Sequence, residues 1–230
     1  MSEMLDRLYL PDGANLNVMG WGQAGSGKTV FFQTTLDKFL KKNKNEKLRV
    51  VVIAPKSEDW DLGKKRTQIV HNLESLERSI AENRMTVLYP SIDGLEDTVD
   101  EAINMTFDYQ QANPESSFIV IIDDAQIFLS SRRAASDALK RLALTGRSRR
   151  IKGVFIAHNV VFSRDLEGQV DLLVGFSSPN PIQDRASIER FNFDPEPFRE
   201  PLRIRPFSFV WFDTRDGEPK LMAPIDYTPA

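Results

Sequence analysis

Residues 22–29 read Gly22-Gln23-Ala24-Gly25-Ser26-Gly27-Lys28-Thr29, which fills every fixed position of the Walker A pattern G-x-x-x-x-G-K-[ST]. The ligand of such a loop explains the residue choice. A triphosphate is bulky and highly anionic. Glycines let the backbone curl around it with N–H groups turned inward, in conformations that residues with a Cβ resist. A helix starting near Lys28 offers its free N–H groups and the positive end of its dipole to the same phosphates. In this pattern Lys28 reaches the β- and γ-phosphates and the Thr29 hydroxyl is a ligand of Mg²⁺, so ATP and Mg²⁺ are expected. The alternative is a chance glycine-rich turn ahead of a helix. Against it stands the context, a short strand over Leu16–Trp21 before the loop and a helix over Lys28–Lys41 after it.

Outward from the loop, apolar runs alternate between strand-like and helix-like. The helix Lys28–Lys41 is expected to place Val30, Phe31, Leu36, Phe39 and Leu40 on its apolar side. Leu48–Ala54 is a continuous β-branched run, the mark of a strand buried on both faces. Strands are also expected at Thr86–Tyr89, Phe118–Ile122, Gly153–Ala157 and Val170–Phe176, with helices at Leu95–Gln111 and Ala134–Leu144. Strands separated by helices imply parallel crossovers and a sheet covered on both faces. At the end of the chain Phe207–Phe212 and Lys220–Pro224 flank a turn-rich stretch and read as an antiparallel hairpin on the sheet edge. The fold class is α/β, and no composition break demands a second domain. Residues 1–230 read as one domain with a core at about 14–178 and a C-terminal helix and hairpin over 179–230.

Phe118–Ile122 runs into Asp123 and Asp124. In open α/β sheets ligands bind at the carboxyl ends of strands, so these acids can share the site of the glycine loop. Asp123 is expected to hold Mg²⁺ through water, and Asp124 to act as general base or to orient the attacking water. The plain alternative is a surface turn after a buried strand. His158 and Asn159 follow the strand Gly153–Ala157, and either one is a candidate for contact with the γ-phosphate; the alternative is a capping residue. From Ser131 to Lys152 the chain carries Arg132, Arg133, Lys140, Arg141, Arg147, Arg149, Arg150 and Lys152 against the single acid Asp137, a local charge of +7 where the whole chain totals −3. Such a cluster can face a neighbouring subunit's nucleotide, line a channel for nucleic acid, or be a solvated helix end.

Together these pieces resemble the FtsK–HerA superfamily of DNA-pumping ATPases over roughly Leu16–Phe176. Besides the glycine loop, three stretches carry the resemblance. Val51-Val52-Ile53-Ala54-Pro55-Lys56-Ser57-Glu58 looks like the family's strand followed by Asp-Pro-Lys and an acid, with Ala54 replacing the Asp. Ile121-Ile122-Asp123-Asp124 matches the acidic strand end, where many members have Asp-Glu and poxvirus-type packaging ATPases resemble the Asp-Asp found here. Thr145-Gly146-Arg147 looks like the family's Gly-Arg segment. The resemblance implies a RecA-like (ASCE) P-loop fold. It also implies that Leu48–Ala54 or Thr86–Tyr89 lies between the glycine-loop strand and the acidic strand, as in translocases and motors. Arg147 becomes a candidate arginine finger acting in trans, and His158 or Asn159 stands where the family carries a Gln sensor.

The remaining bulk properties narrow the choice. The chain of 230 residues has no cysteine and has His71 and His158 as its two histidines, which excludes disulfides and thiolate metal sites and disfavours a His-rich one. No run approaches the roughly 18 apolar residues of a membrane span, and Met1–Leu10 lacks the features of a signal peptide. The expectation is a soluble protein of the host cytoplasm or one associated with the virion. Among the family's members a compact chain of this size looks most like the genome-packaging ATPases of tailless viruses with double jelly-roll capsids. That resemblance implies a homo-oligomeric ring, hexamer or pentamer, acting on double-stranded DNA, with capsid vertex, portal or membrane proteins as further partners. The alternatives are a conjugation, DNA-processing or phage-assembly motor of the same superfamily, and a nucleotide-binding switch with negligible turnover.

Overall fold

The computed structural model describes residues 2–11, 17–55, 60, 62, 67–129, 135–158, 166, 168–176, 207–215 and 217–225. In chain order the elements are α1 (Ser2–Tyr9), β1 (Asn17–Trp21), α2 (Lys28–Lys42), β2 (Leu48–Ile53), β3 (Gln68–Val70), α3 (Leu73–Glu82), β4 (Met85–Leu88), α4 (Leu95–Ala112), β5 (Ser117–Ile122), α5 (Asp137–Thr145), β6 (Ile151–Ala157), β7 (Val170–Gly175), β8 (Phe209–Asp213) and β9 (Lys220–Met222). Short 3-10 turns over Ala125–Ile127 and Arg147–Arg149 follow β5 and α5. The strands form one sheet in the order β3-β4-β2-β5-β6-β1-β7-β8-β9. Pairings from β3 to β7 are parallel, and β8 and β9 join antiparallel at the β7 edge, as the expected hairpin.

Helices cover both faces, which explains the unbroken apolar runs. In β5, Phe118, Val120 and Ile122 pack with Leu76, Ile103, Phe107 and Leu142 from α3, α4 and α5. Ile119 and Ile121 point the other way, into the layer of α1 and α2 with Leu8, Tyr9, Phe32 and Phe39. With both faces dry, period-2 alternation of polarity vanishes. In α2 the buried stripe is Phe31, Phe32, Thr35, Leu36, Phe39 and Leu40. Val30 was expected on that stripe but is 43% exposed, because Phe31, Thr35 and Phe39 recur at i, i+4 and i+8 and leave the preceding residue one step off the face. The helix lies close against β1, since a Cβ on Gly20 would stand 2.3 Å from the Phe32 ring. That approach sets the start of α2 directly above the end of β1.

The topology corrects one expectation. The strand between β1 and β5 is β6 (Ile151–Ala157), not Leu48–Ala54 or Thr86–Tyr89. β2 has β4 on one side, so β5 pairs on its other side and the next crossover, through α5, returns β6 to the gap beside β1. The helix at Ile182–Arg190 and the start of the helix at Ala134 lie outside the described residues. No helix among those described is long and apolar enough to cross a membrane.

Candidate active site

Three parallel strands deliver the candidate residues to one edge of the sheet. β1 ends in the glycine loop, β6 ends at His158 and β5 ends at Asp123, in the spatial order β5-β6-β1. The loop is tethered to β6 by Gly22 N donating to Ala157 O (3.2 Å), and it turns through Ser26 N donating to Gln23 O (3.1 Å). Gly25 and Gly27 have φ of 76° and 89°, the left-handed region that glycine enters without penalty. Gly27 is the N-cap of α2, and Phe31 N closes the first helical turn on Gly27 O (2.8 Å). The ring of Phe207 lies over this point, with its Cδ1 atom 2.9 Å from where a Gly27 Cβ would be. Phe207 is 59% exposed and has a φ of 63°. Phe209 and Trp211 of the hairpin are buried, whereas Phe207 is not.

Lys28 is buried, and its Nζ donates to Gln23 O (3.0 Å). Burial lowers its pKa, opposed by the charges of Asp123 and Asp124. Its Nζ is also 3.4 Å from His158 Nδ1, while His158 Nε2 stands 3.2 Å from Asp124 Oδ1. An ammonium can only donate, so Nδ1 accepts from Lys28 and the ring hydrogen sits on Nε2, facing Asp124. Asp124 adopts φ 52° at the start of the Ala125–Ile127 turn. Its Oδ1 accepts from Gln126 Nε2 (2.9 Å), and Gln126 Oε1 accepts from His158 N (3.1 Å).

Asp123 is the most enclosed member of the group. Its Oδ2 accepts from Trp60 Nε1 (2.8 Å) and lies 3.5 Å from Thr29 Oγ1, and its Oδ1 accepts from Asp124 N (2.9 Å). Burial raises the Asp123 pKa, with the Trp60 and Asp124 hydrogen bonds opposing. The donor set fits Mg²⁺. A hydroxyl and a carboxylate converge as hard oxygen donors, and Mg²⁺ is commonly held by one or two carboxylates plus substrate phosphates rather than by an all-protein cage. The loop also fits an anion, since Ser26 Oγ is buried without a hydrogen-bond partner among the described residues.

Lys28, Thr29, Asp123, Asp124 and His158 thus meet in one place. Asn159, Lys56, Ser57, Glu58, Arg132 and Arg133 lie outside the described residues. Arg147 is elsewhere: it precedes β6, at the opposite edge of the sheet, and its Nη2 donates to Asp171 Oδ2 (3.1 Å). β6 is seven residues long, about 23 Å at the usual rise, so Arg147 cannot serve the site of its own chain. The basic segment is less of a surface patch than its composition implies. Lys152 is 1% exposed and donates to Arg7 O. Arg141 donates to Asn104 and stacks 4.2 Å over the Phe107 ring, and Arg150 donates to Glu115 O. Trp60 and Gln126 are the site residues that sequence reasoning missed.

No protein-family model and no curated protein sequence matches the chain. Solved structures do. The genome packaging NTPase B204 of Sulfolobus turreted icosahedral virus 2, in complex with AMPPCP, superimposes with a TM-score of 0.71 at 18% identity, covering 93% of this chain and 100% of that one. The cytoplasmic domain of the Thermomonospora curvata type VII secretion ATPase EccC gives 0.62 at 14% identity, over 93% of this chain and 26% of that one. The pCW3 conjugation coupling protein TcpA, a monomer form with ATPγS, gives 0.57 at 13% identity, over 90% and 59%. At these identities the likeness is one of fold. The RecA-like α/β fold expected from the sequence motifs is the one observed, and it is the fold of these NTPases.

Proposed function

We propose that this chain is an ATPase motor that drives double-stranded DNA, packaging a viral genome into a preformed capsid as a homo-oligomeric ring of five or six copies, with residues 1–230 as one ATPase domain. The observation that carries the reading is the convergence of Lys28, Thr29, Asp123, Asp124 and His158 at the carboxyl ends of β1, β5 and β6. The likeness in fold to a viral packaging NTPase that covers the whole of that chain supports the choice among motors.

In this reading residues 22–29 wrap the triphosphate and Lys28 Nζ leaves His158 for the β- and γ-phosphates. Mg²⁺, held through Thr29 and, by way of water, Asp123, would neutralise charge on the phosphate oxygens. Asp124 orients a water and takes its proton as the water oxygen bonds to the γ-phosphorus. The bond to the β–γ bridging oxygen breaks, and ADP and phosphate leave. His158, freed from Lys28, senses the γ-phosphate by donating a ring N–H to it. Arg147 is the finger that a neighbouring copy supplies.

The test is steady-state phosphate release with and without duplex DNA. Wild type should turn over ATP and be stimulated by DNA, and Lys28→Ala should abolish turnover. Tight ATP binding with no turnover under either condition would sink the motor in favour of a nucleotide switch. Mixing Lys28→Ala with Arg147→Ala protein should restore part of the activity that each lacks alone. Full activity of Arg147→Ala by itself would remove the finger.

A further inference from the structure

We infer that Trp60 is the positioning residue of the metal site, its indole N–H holding the Asp123 carboxylate in the orientation that faces Thr29. The inference rests on the reading of Asp123 as the Mg²⁺ acid. Trp60 is fully buried, packed within the α2-side core with Val52, Ile119 and Ile121. Its backbone N–H donates to the Tyr89 hydroxyl at the end of β4 (3.2 Å), and its Nε1 donates to Asp123 Oδ2 (2.8 Å). The residue therefore links the hydroxyl of Tyr89, which follows β4, to Asp123 at the end of β5.

A carboxylate at a strand end can rotate about two side-chain torsions. Here Oδ1 is tied to Asp124 N, and Oδ2 is shared by Trp60 and Thr29. An indole is a donor only, so Trp60 cannot compete with Asp123 for a cation or for the hydrogens of a metal-bound water. It takes one lone-pair direction of Oδ2 and leaves the other aimed at Thr29 Oγ1. A rigid ring locked in a core fixes that direction better than a flexible polar chain would. Such outer partners of a ligand carboxylate carry about 10–100-fold in metal affinity.

The experiment measures, on the full chain, the Mg²⁺ concentration that half-saturates binding of a fluorescent non-hydrolysable ATP analogue. The variants are Trp60→Phe and Trp60→3-benzothienylalanine; the latter keeps the bicyclic shape and lacks only the N–H. Both should require about tenfold more Mg²⁺, with analogue binding in EDTA unchanged and near-UV circular dichroism native. In wild type, Mg²⁺ added to the analogue complex should alter a component of tryptophan emission that is missing from Trp60→Phe, where Trp21 and Trp211 remain. Asp123→Asn is run in parallel. If Asp123→Asn raises the Mg²⁺ requirement and benzothienylalanine does not, the positioning role is overturned while Asp123 keeps its own. A shift in Trp60→Phe alone assigns the effect to lost packing and also overturns it. No shift in Asp123→Asn overturns the reading of Asp123, and the role of Trp60 falls with it.

Discussion

His158 stands between a cation and a carboxylate because it leaves the sheet on the strand that separates their two strands. Its contacts are specific in polarity: Nδ1 accepts from Lys28 and Nε2 donates to Asp124, while Gln126 clamps both Asp124 Oδ1 and the His158 backbone. If Asp124 handles the attacking water, Asp124→Asn should lower kcat by about 10²–10³-fold, in the range of general-base losses, with nucleotide affinity nearly unchanged. Gln126→Ala leaves the carboxylate in place but unclamped, and should lower kcat by about tenfold with the same affinity. Phosphate release and fluorescent-nucleotide titration separate the two parameters. Equal losses in affinity and turnover for Asp124→Asn would place it in binding instead. Lys28, Thr29 and Asp123 were legible because local spacing encodes them: a loop motif and an apolar strand ending in acids. Trp60 and Gln126 were not. Trp60 meets Asp123 across 63 positions of sequence, and a lone tryptophan in a charged stretch looks like any core anchor. The choice of His158 as the described bridge needed the register of β6 against β1, with Ala157 opposite Trp21.

The start of α2 is the element on which the anion site depends, and Gly27 is its weakest point for substitution. A Cβ there meets two separate penalties, the φ of 89° and the Phe207 ring at 2.9 Å. Gly27→Ala should destabilise the fold by about 1–3 kcal/mol from backbone strain alone and weaken nucleotide binding. Urea unfolding and nucleotide titration measure the two. Adding Phe207→Ala removes the ring but not the strain, so the double variant should recover part of the loss and not all of it. Full recovery would assign the penalty to the ring alone. Long, doubly buried elements such as β2 and β5 were readable as continuous apolar runs. β3 was not, being three residues long with only Val70 buried. α3 was hidden for another reason: its buried residues Leu76, Ser79 and Ile80 form a narrow stripe among charged neighbours. The position of β6 was beyond reach, because a run of apolar residues states that a strand is buried and not between which neighbours.

At the scale of the whole molecule, the amino edge of the sheet holds a charged cluster that joins α1, β6, β7 and β8 far from the nucleotide loop. Asp213 is fully buried and accepts from Arg7 (2.5 Å) and Arg215 (2.9 Å). Burial would raise its pKa, but those hydrogen bonds and the Arg215 charge outweigh it and hold it low. Lys152 sits in the same cluster, facing Asp171, Arg215, Asp213 and Arg147, and burial pushes its pKa from 10.5 down to about 7. Below pH 7 the lysine is protonated in both folded and unfolded chains, and the cost of a buried charge is fully present. Between 7 and 10.5 the unfolded chain binds the extra proton, so stability rises with pH. From pH 6 to pH 9 this one group should add about 2–3 kcal/mol, at 1.36 kcal/mol per unit of difference. Lys152→Met fills the volume without the charge, so it should be more stable than wild type at pH 6 and lose that rise. Urea unfolding of both proteins at pH 6, 7.5 and 9 measures it. The cluster couples the first helix to three strands through one group that is neutral only above pH 7, so equal slopes in the two proteins would show that Lys152 is protonated throughout and that Asp171 and Asp213 sustain its charge in the core.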